Sequence, residues 1–149
     1  MHSASSNSTD INARTIATRK VKPFDRLILV LKAYARLVRF NRDLAHNQFT
    51  RLYDVVRAYP LTRTKVSTRD IGEICYAVDL ACIWYWKEVL CLQRSAATTC
   101  VLRDVGIPAK MVMGVQQTPF RAHAWVEVEG RVVNDKPYMR DLYAVLDIC

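Results

Sequence analysis

The sequence predicts an α+β fold in which N-terminal helices precede a further helix that packs on a small antiparallel sheet. Up to about residue 104, apolar residues recur at the three- and four-residue spacing of helices. From Met111 onward, short runs rich in valine are separated by turn residues such as Pro119 and Gly130, which is typical of strands and hairpins. Helices first and strands afterwards is the order expected for this fold class.

The length and composition bound the organisation of the chain. A single domain is expected for 149 residues of which 51% are hydrophobic. Residues 1–22 are polar and rich in Ser, Thr and Asn, so we expect a disordered tail followed by one domain, residues 23–149. There is no apolar run at the start that could serve as a signal peptide, and cations interrupt the apolar stretch from Leu27 to Phe40, so no membrane span is expected.

Cysteine usage indicates the chemical setting. The chain has five cysteines, an odd number, and no close Cys-x-x-Cys pair. This pattern favours a reducing, cytoplasmic location and argues against a metal site, and no cofactor is expected.

Three helices are expected before the segment that starts at Cys91. The first two are Asp25–Phe40 and Arg42–Ala58, the second ending before Pro60. Ser67-Thr68 can cap the third. Its apolar stripe consists of Ile71, Ile74, Cys75, Val78 and Cys82. It ends near three aromatic residues, Trp84, Tyr85 and Trp86. Core packing is the simpler role for these aromatics, and the alternative is that one of them lines a substrate groove.

A fourth helix is expected to begin at Cys91. The residues that recur at helical spacing are Leu92, Ala96, Thr99 and Leu102. Gly106 can take the left-handed turn that ends a helix, and Pro108 prevents its resumption. Cys91 is therefore expected at the helix N-terminus, where unpaired N–H groups and the helix dipole favour a thiolate. The same N–H groups can hold an oxyanion.

Strands are expected to follow this helix. They are Met111–Val115, Ala122–Val128 and Arg131–Asp135, with Leu142–Ile148 as a possible fourth. Two loops are compatible with the second turn: Glu129-Gly130, or Val128-Glu129-Gly130. The shorter loop would set Ala124 opposite Asp135 and turn His123 away from the carboxylate. The longer loop would set His123 directly opposite Asp135, with Cβ atoms about 4.5–5.5 Å apart. We predict the longer loop, with Gly130 in the left-handed position.

The predicted catalytic residues are Cys91, His123 and Asp135. Their order is that of the nucleophile, base and orienting carboxylate of a thiol acyl-transfer enzyme. Each has a simpler explanation, because most such cysteines are small buried hydrophobic residues and a strand histidine is usually structural. Position favours the catalytic interpretation. The other cysteines lie inside helical stretches or at the terminus, and the other histidines lie in the polar tail or between helices.

The net charge of +8 belongs to the N-terminal half. Residues 1–69 contain 14 Lys and Arg against 4 Asp and Glu, whereas residues 70–149 contain 8 against 10. Two sets of arginines could form a surface for nucleic acid or an acidic peptide: Arg36, Arg39 and Arg42, or Arg57 and Arg63. A solvated helix face is the simpler interpretation, since aromatics are not interleaved as in a platform that stacks on bases. We therefore expect no nucleic-acid partner.

The second half of the chain resembles a known family. The stretches that carry the resemblance are Cys91-Leu92-Gln93-Arg94, Arg103-Asp104-Val105-Gly106-Ile107-Pro108-Ala109, Gly114-Val115 and the run from Pro119 to Asp135 that contains Arg121-Ala122-His123-Ala124-Trp125-Val126-Glu127. From about Trp86 to Asp135 the chain is similar to the lasso-peptide B-protein protease, a bacterial transglutaminase-like cysteine peptidase. The upstream helices resemble it only in pattern.

The resemblance implies a transglutaminase-like cysteine protease fold and an activity. Such an enzyme removes the leader from a ribosomally made lasso-peptide precursor, after which an ATP-dependent lasso cyclase closes the new N-terminal amine onto an Asp or Glu side chain. In this family the triad falls on Cys91, His123 and Asp135. Members are either fused to a leader-recognition domain or split from it, and the polar start from Met1 to Lys20 resembles no such domain. The resemblance therefore implies three partners: the precursor peptide, a separate leader-recognition protein and the cyclase.

Two other functions are compatible with these residues. A transglutaminase-like or arylamine-transferase-like acyltransferase would use the same triad and pass the acyl group to an amine instead of water. A non-catalytic basic module could bind nucleic acid or an acidic leader, although the intact Cys, His and Asp argue against a degenerate site.

Overall fold

The computed structural model describes residues 23–46, 49–63 and 71–149. The elements in chain order are α1 (Pro23–Ala45), α2 (Phe49–Ala58), α3 (Ile71–Ile83), α4 (Cys91–Asp104), β1 (Ala109–Gln116), β2 (Arg121–Val128), β3 (Arg131–Val132), α5 (Met139–Leu142) and β4 (Ala144–Ile148). Helices precede a four-stranded antiparallel sheet, so the predicted α+β class is confirmed. The predicted tail, residues 1–22, and the predicted cap at Ser67-Thr68 lie outside the described residues.

The boundary between the first two helices was predicted wrongly. α1 does not end at Phe40 but continues to Ala45, because Leu44 extends its apolar stripe by one more turn against the core. α2 consequently begins only at Phe49 and not at Arg42. No helix within the described ranges, α1 included, is both long enough and apolar enough to cross a membrane.

α3 follows its predicted apolar stripe. Ile74, Cys75 and Val78 are buried along the helix from Ile71 to Ile83. Of the three aromatics after it, Tyr85 is buried, whereas the side chains of Trp84 and Trp86 are 78% and 69% exposed. The core-packing interpretation therefore holds for the middle residue alone.

α4 is the central element of the fold. It packs against α1, α2, α3, β1 and β2, and all residues from Ser95 to Leu102 are buried. The buried hydroxyls of Thr98 and Thr99 are satisfied within the helix, since they donate to the carbonyls of Arg94 and Ser95. The helix ends as predicted, with Gly106 in the left-handed region at φ 84° and Pro108 following it.

The sheet has the strand order β3-β2-β1-β4. One face of β2 packs on the helices through Val126 and Val128, and the other buries Trp125 with Val112 and Met139. The possible fourth strand exists as β4 and pairs with β1. The short helix α5 before it was not predicted.

The predicted register of the β2–β3 hairpin is wrong. Val128 pairs with Arg131 and Glu127 pairs with Val132, which is the register of the two-residue loop. Both loop residues have positive φ, 51° for Glu129 and 76° for Gly130, as a type I′ turn requires. Glu129 takes a conformation that is unusual for a residue with a side chain, and this allows the shorter loop. The left-handed position of Gly130 itself was predicted correctly.

Candidate active site

Cys91 is the first residue of α4, as predicted. Leu90 before it is extended, with φ −74° and ψ 156°, and its N–H donates to Oε1 of Gln93 at 3.0 Å. This contact fixes the start of the helix at the cysteine. The next N–H groups have no carbonyl one turn earlier within the helix, so they can accept a negative charge placed at its N-terminus.

His123 and Asp135 are in direct contact. Nε2 of His123 lies 2.8 Å from Oδ2 of Asp135, and both side chains are largely shielded from solvent. The other carboxylate oxygen accepts the Lys136 N–H at 2.8 Å. Burial raises the pKa of Asp135, but the hydrogen bonds from His123 and Lys136 outweigh it, so the pKa lies below its usual value. An ionised carboxylate only accepts hydrogen bonds, so Nε2 is the donor in this contact, and in a neutral imidazole Nδ1 is then the nitrogen that can accept a proton.

Asp135 meets His123 although the β2–β3 register is not the predicted one. The Val133 N–H still donates to the Val126 carbonyl at 2.9 Å, but the ladder of β3 has ended at Val132. The Oδ1 atom of Asn134 then accepts the Val126 N–H at 2.7 Å, so a side chain takes the place of a strand partner. Because the chain bends after the ladder, Asp135 is released from the alternation that would have turned it away from His123.

A buried hydrogen-bond network ties α4 to both halves of this pair. Oγ of Ser95, one helical turn after Cys91, donates to the carbonyl of Ala124, beside His123, at 2.9 Å. Nδ2 of Asn134, beside Asp135, donates to the same Oγ at 3.1 Å. The first turn of α4 is thereby bound to the segments that carry the histidine and the aspartate. No hydrogen bond joins the Cys91 thiol to His123 within the described residues, and such contacts are often long in enzymes without substrate.

Comparison with known proteins identifies the family. The chain matches the model of the transglutaminase-like superfamily over residues 34–147, well over half of its length. The chain belongs to the transglutaminase-like superfamily. It is also 46% identical over 127 residues to the Microcin J25-processing protein McjB of Escherichia coli. This match covers 85% of the chain and 59% of the relative, so the chain spans less than two thirds of that protein's length. No solved structure matches the chain.

The transglutaminase-like match includes all three predicted site residues and the network that links them. Neither Ser95 nor Asn134 was predicted as a site residue. The sequence signal for Ser95 is a small polar residue one turn after the cysteine, in a helix that was predicted to pack on the sheet.

Gln93 is not directed at a substrate in this transglutaminase-like chain. Its side chain is 4% exposed, with Oε1 on the Leu90 N–H and Nε2 at 3.5 Å from Oδ1 of Asn41 on α1. Both the oxygen and the nitrogen of the Gln93 amide thus have hydrogen-bond partners inside the fold. The backbone N–H groups at the start of α4 stay the predicted oxyanion donors.

Two aromatic rings adjoin His123. The indole of Trp125 is stacked with the imidazole, with ring centroids 6.4 Å apart and an interplanar angle of 21°. The phenol ring of Tyr143 lies 5.3 Å away at 31°, and the two aromatic rings are 6.1 Å from each other. The sequence gives no sign of this cluster, because Tyr143 reaches it from the far end of the chain.

The arginines that could have formed a basic surface are partly engaged elsewhere. Arg36 donates to the hydroxyl of Tyr59 and lies 3.4 Å from the carboxylate of Asp104. Arg57 forms a 2.8 Å ion pair with Asp147. These pairings weaken the case for a nucleic-acid surface. Within the described ranges, no cluster of three or more His, Cys, Asp or Glu side chains is arranged to hold a metal ion.

Proposed function

We propose that this chain is a cysteine peptidase in which Cys91 is the nucleophile, His123 the general base and Asp135 the group that orients the base. The observation that carries the proposal is the Nε2–Oδ2 hydrogen bond between His123 and Asp135, beside the helix that begins at Cys91. It supplies a base with a fixed tautomer, next to a helix N-terminus that favours a thiolate and an oxyanion.

The mechanism follows from these positions. Nδ1 of His123 takes the proton of the Cys91 thiol, and the thiolate attacks the scissile carbonyl. The negative oxygen of the tetrahedral intermediate is stabilised by N–H groups at the start of α4. His123 then returns the proton to the leaving amine, and water hydrolyses the thioester. Asp135 stabilises the imidazolium that forms during both steps.

The substrate class rests on the relative and on the family resemblance. The relative is named for processing microcin J25, and it shares 46% of its residues with this chain over the matched region. We propose that the substrate is likewise a leader-bearing precursor of a lasso peptide, cleaved between leader and core. A separate leader-recognition protein and an ATP-dependent cyclase stay predictions of the resemblance. The cytoplasmic location and the single domain of residues 23–149 stay predictions from cysteine usage and from chain length and composition.

Substitution of each triad residue tests the proposal. We expect Cys91→Ala and His123→Ala to lower kcat by about 10⁴-fold or more, since the members of such a unit fail together. Asp135→Asn should leave a residual rate, reduced about 10²- to 10⁴-fold, because the imidazole remains but its tautomer is poorly set. The measurement is mass spectrometry of a leader-bearing lasso-peptide precursor incubated with each variant.

The matched control is Cys100→Ala, which removes a fully buried thiol inside α4 and should retain cleavage. Near-native turnover by Cys91→Ala, together with its loss in Cys100→Ala, would show that the nucleophile is misassigned. The products also separate hydrolysis from the acyltransferase alternative, because hydrolysis yields two fragments and transfer to an amine yields an adduct.

A further inference from the structure

The indole of Trp125 is anchored by the buried carboxylate of an ion pair. Its Nε1 donates to Oε1 of Glu127 at 2.8 Å, and Arg140 binds both oxygens of that carboxylate at 2.7 Å each. The hydrogen bonds from Arg140 lower the pKa of Glu127, despite burial that raises it, so the acceptor of the indole N–H stays ionised. Trp125 is fully buried and Glu127 is 4% exposed. The ring next to His123 therefore has one fixed position.

A glycine on the neighbouring strand leaves room for Trp125 and Tyr143. Gly114 on β1 pairs with His123 on β2 and so lies on the same face of the sheet. A Cβ at this position would lie 2.8 Å from Cη2 of Trp125 and 2.9 Å from Cβ of Tyr143. Both aromatic residues thus pack directly over the backbone opposite the imidazole.

We propose that Trp125 and Tyr143 are positioning residues that hold the plane of the His123 imidazole. The proposal rests on the proposed function, because it takes His123 as the base of Cys91. The hydrogen bond to Asp135 fixes one nitrogen but leaves the ring free to tilt about that contact. The two neighbouring rings, at 21° and 31° to the imidazole, remove this freedom and keep Nδ1 directed at the thiol.

The test measures the thiol–imidazole pair without any peptide substrate. Iodoacetamide alkylation of Cys91 is followed at pH 6 and at pH 9.5, and the modified residue is located by peptide mass spectrometry. An ordinary thiol with a pKa of about 8.5 is mostly ionised at pH 9.5 and almost fully protonated at pH 6. The rate at pH 6 divided by the rate at pH 9.5 therefore reports how well His123 ionises the cysteine. Dividing by the rate at pH 9.5 corrects for changes in the access of iodoacetamide to the thiol.

We expect Tyr143→Leu to lower this ratio by about tenfold, because a tilted base no longer meets the thiol. Tyr143→Phe keeps the ring and should restore the ratio to within about twofold of the unsubstituted protein. Trp125→Phe keeps an aromatic ring but loses the hydrogen bond to Glu127, so its ratio should lie between those of Tyr143→Leu and Tyr143→Phe. The matched control is Tyr76→Leu, which removes a tyrosine that is 51% exposed on α3 and should leave the ratio unchanged. With the precursor, Tyr143→Leu should lower kcat and leave KM unchanged.

Each outcome is decisive once circular dichroism shows that the variant is folded. A native ratio in Tyr143→Leu and Trp125→Phe, with loss of the ratio in His123→Ala, overturns the positioning role and leaves the proposed function intact. A native ratio in His123→Ala shows that this histidine is not the base, and both proposals then fall. If Tyr143→Leu does not fold, Trp125→Phe decides by the same comparison with His123→Ala.

Discussion

Asn134 joins three segments of the chain. Its Oδ1 accepts the Val126 N–H, and its Nδ2 donates to Oγ of Ser95, so β2, α4 and the start of the aspartate segment meet at one buried amide. Both groups are buried, and removal of the amide would leave the Val126 N–H without a partner and Oγ of Ser95 without the N–H that it accepts. The position of Asp135 thus depends on its immediate neighbour in the chain.

Replacement of this amide tests its role. We expect Asn134→Ala to lower the free energy of unfolding by about 1–3 kcal/mol, because it leaves buried donors and acceptors unpaired. It should also slow cleavage, since Asp135 loses the anchor next to it. Urea denaturation gives the first quantity and precursor cleavage the second. The control is Thr98→Val, which removes a buried hydroxyl bonded only within α4 and should cost stability without slowing cleavage by the folded protein. Equal activity of the two variants would contradict the linking role.

The turn between β2 and β3 places one residue that tolerates positive φ next to one that does not. Gly130 takes φ 76° without strain, and a Cβ there would meet no atom within 4 Å. Glu129 takes φ 51° and pays the steric cost of a side chain in the left-handed region. Its side chain is exposed, so no burial offsets the strain.

Substitutions at the two turn positions should change the free energy of unfolding in opposite directions. We expect Glu129→Asn to raise the free energy of unfolding by about 0.5–1 kcal/mol, because Asn-Gly is a favoured type I′ pair. Gly130→Val should lower it by more than about 1 kcal/mol, because a β-branched residue is placed at positive φ. Urea denaturation measures both, with Glu129→Gln as the control of equal size. The expectation fails if Glu129→Asn and Glu129→Gln are equally stable.

The elements that could be predicted from the sequence are those with a local cause. α4 could be predicted because its helical spacing, Gly106 and Pro108 lie within a short stretch of chain. The contact of His123 with Asp135 was predicted, but by the wrong register. The loop length depended on Glu129 accepting positive φ, and the ladder ended because the Asn134 side chain bonds to Val126 and to Ser95. Such long-range hydrogen bonds leave no pattern in one sequence, and the same is true of Tyr143 beside His123.

At the scale of the whole molecule, several ionisable side chains are buried or half-buried in their protonated forms. Burial raises the pKa of Cys82 to about 11 and that of Cys100 to about 12. It is also the main cause that raises the pKa values of Tyr53 and Tyr59 to about 12. Each value is higher than in an unfolded chain, so at alkaline pH the native state keeps protons that the unfolded state has released.

Stability should therefore decrease with pH in the alkaline range. The contribution of these groups is fully present below about pH 8, where thiols and phenols are protonated in both states, and it is lost progressively as the pH rises from about 8 toward 12. Urea midpoints at pH 7, 8 and 10.5 should be similar for the first two and lower for the third. Cys100→Ala should show a smaller decrease between pH 8 and 10.5. A midpoint that does not change up to pH 10.5 would refute the expectation.

The burial of α4 on every side determines which part of the molecule opens last. Residues Ser95 to Leu102 have no exposed surface of consequence, whereas every residue of β4 is exposed. In deuterated water, the backbone amides of Ser95 to Leu102 should exchange only when the whole fold opens, and those of β4 should exchange by local fluctuations. Mass spectrometry of peptides from timed exchange would measure the difference. The nucleophile proposed at Cys91 would then be carried by the slowest-opening segment, so that a bound peptide could displace peripheral strands without moving the thiol.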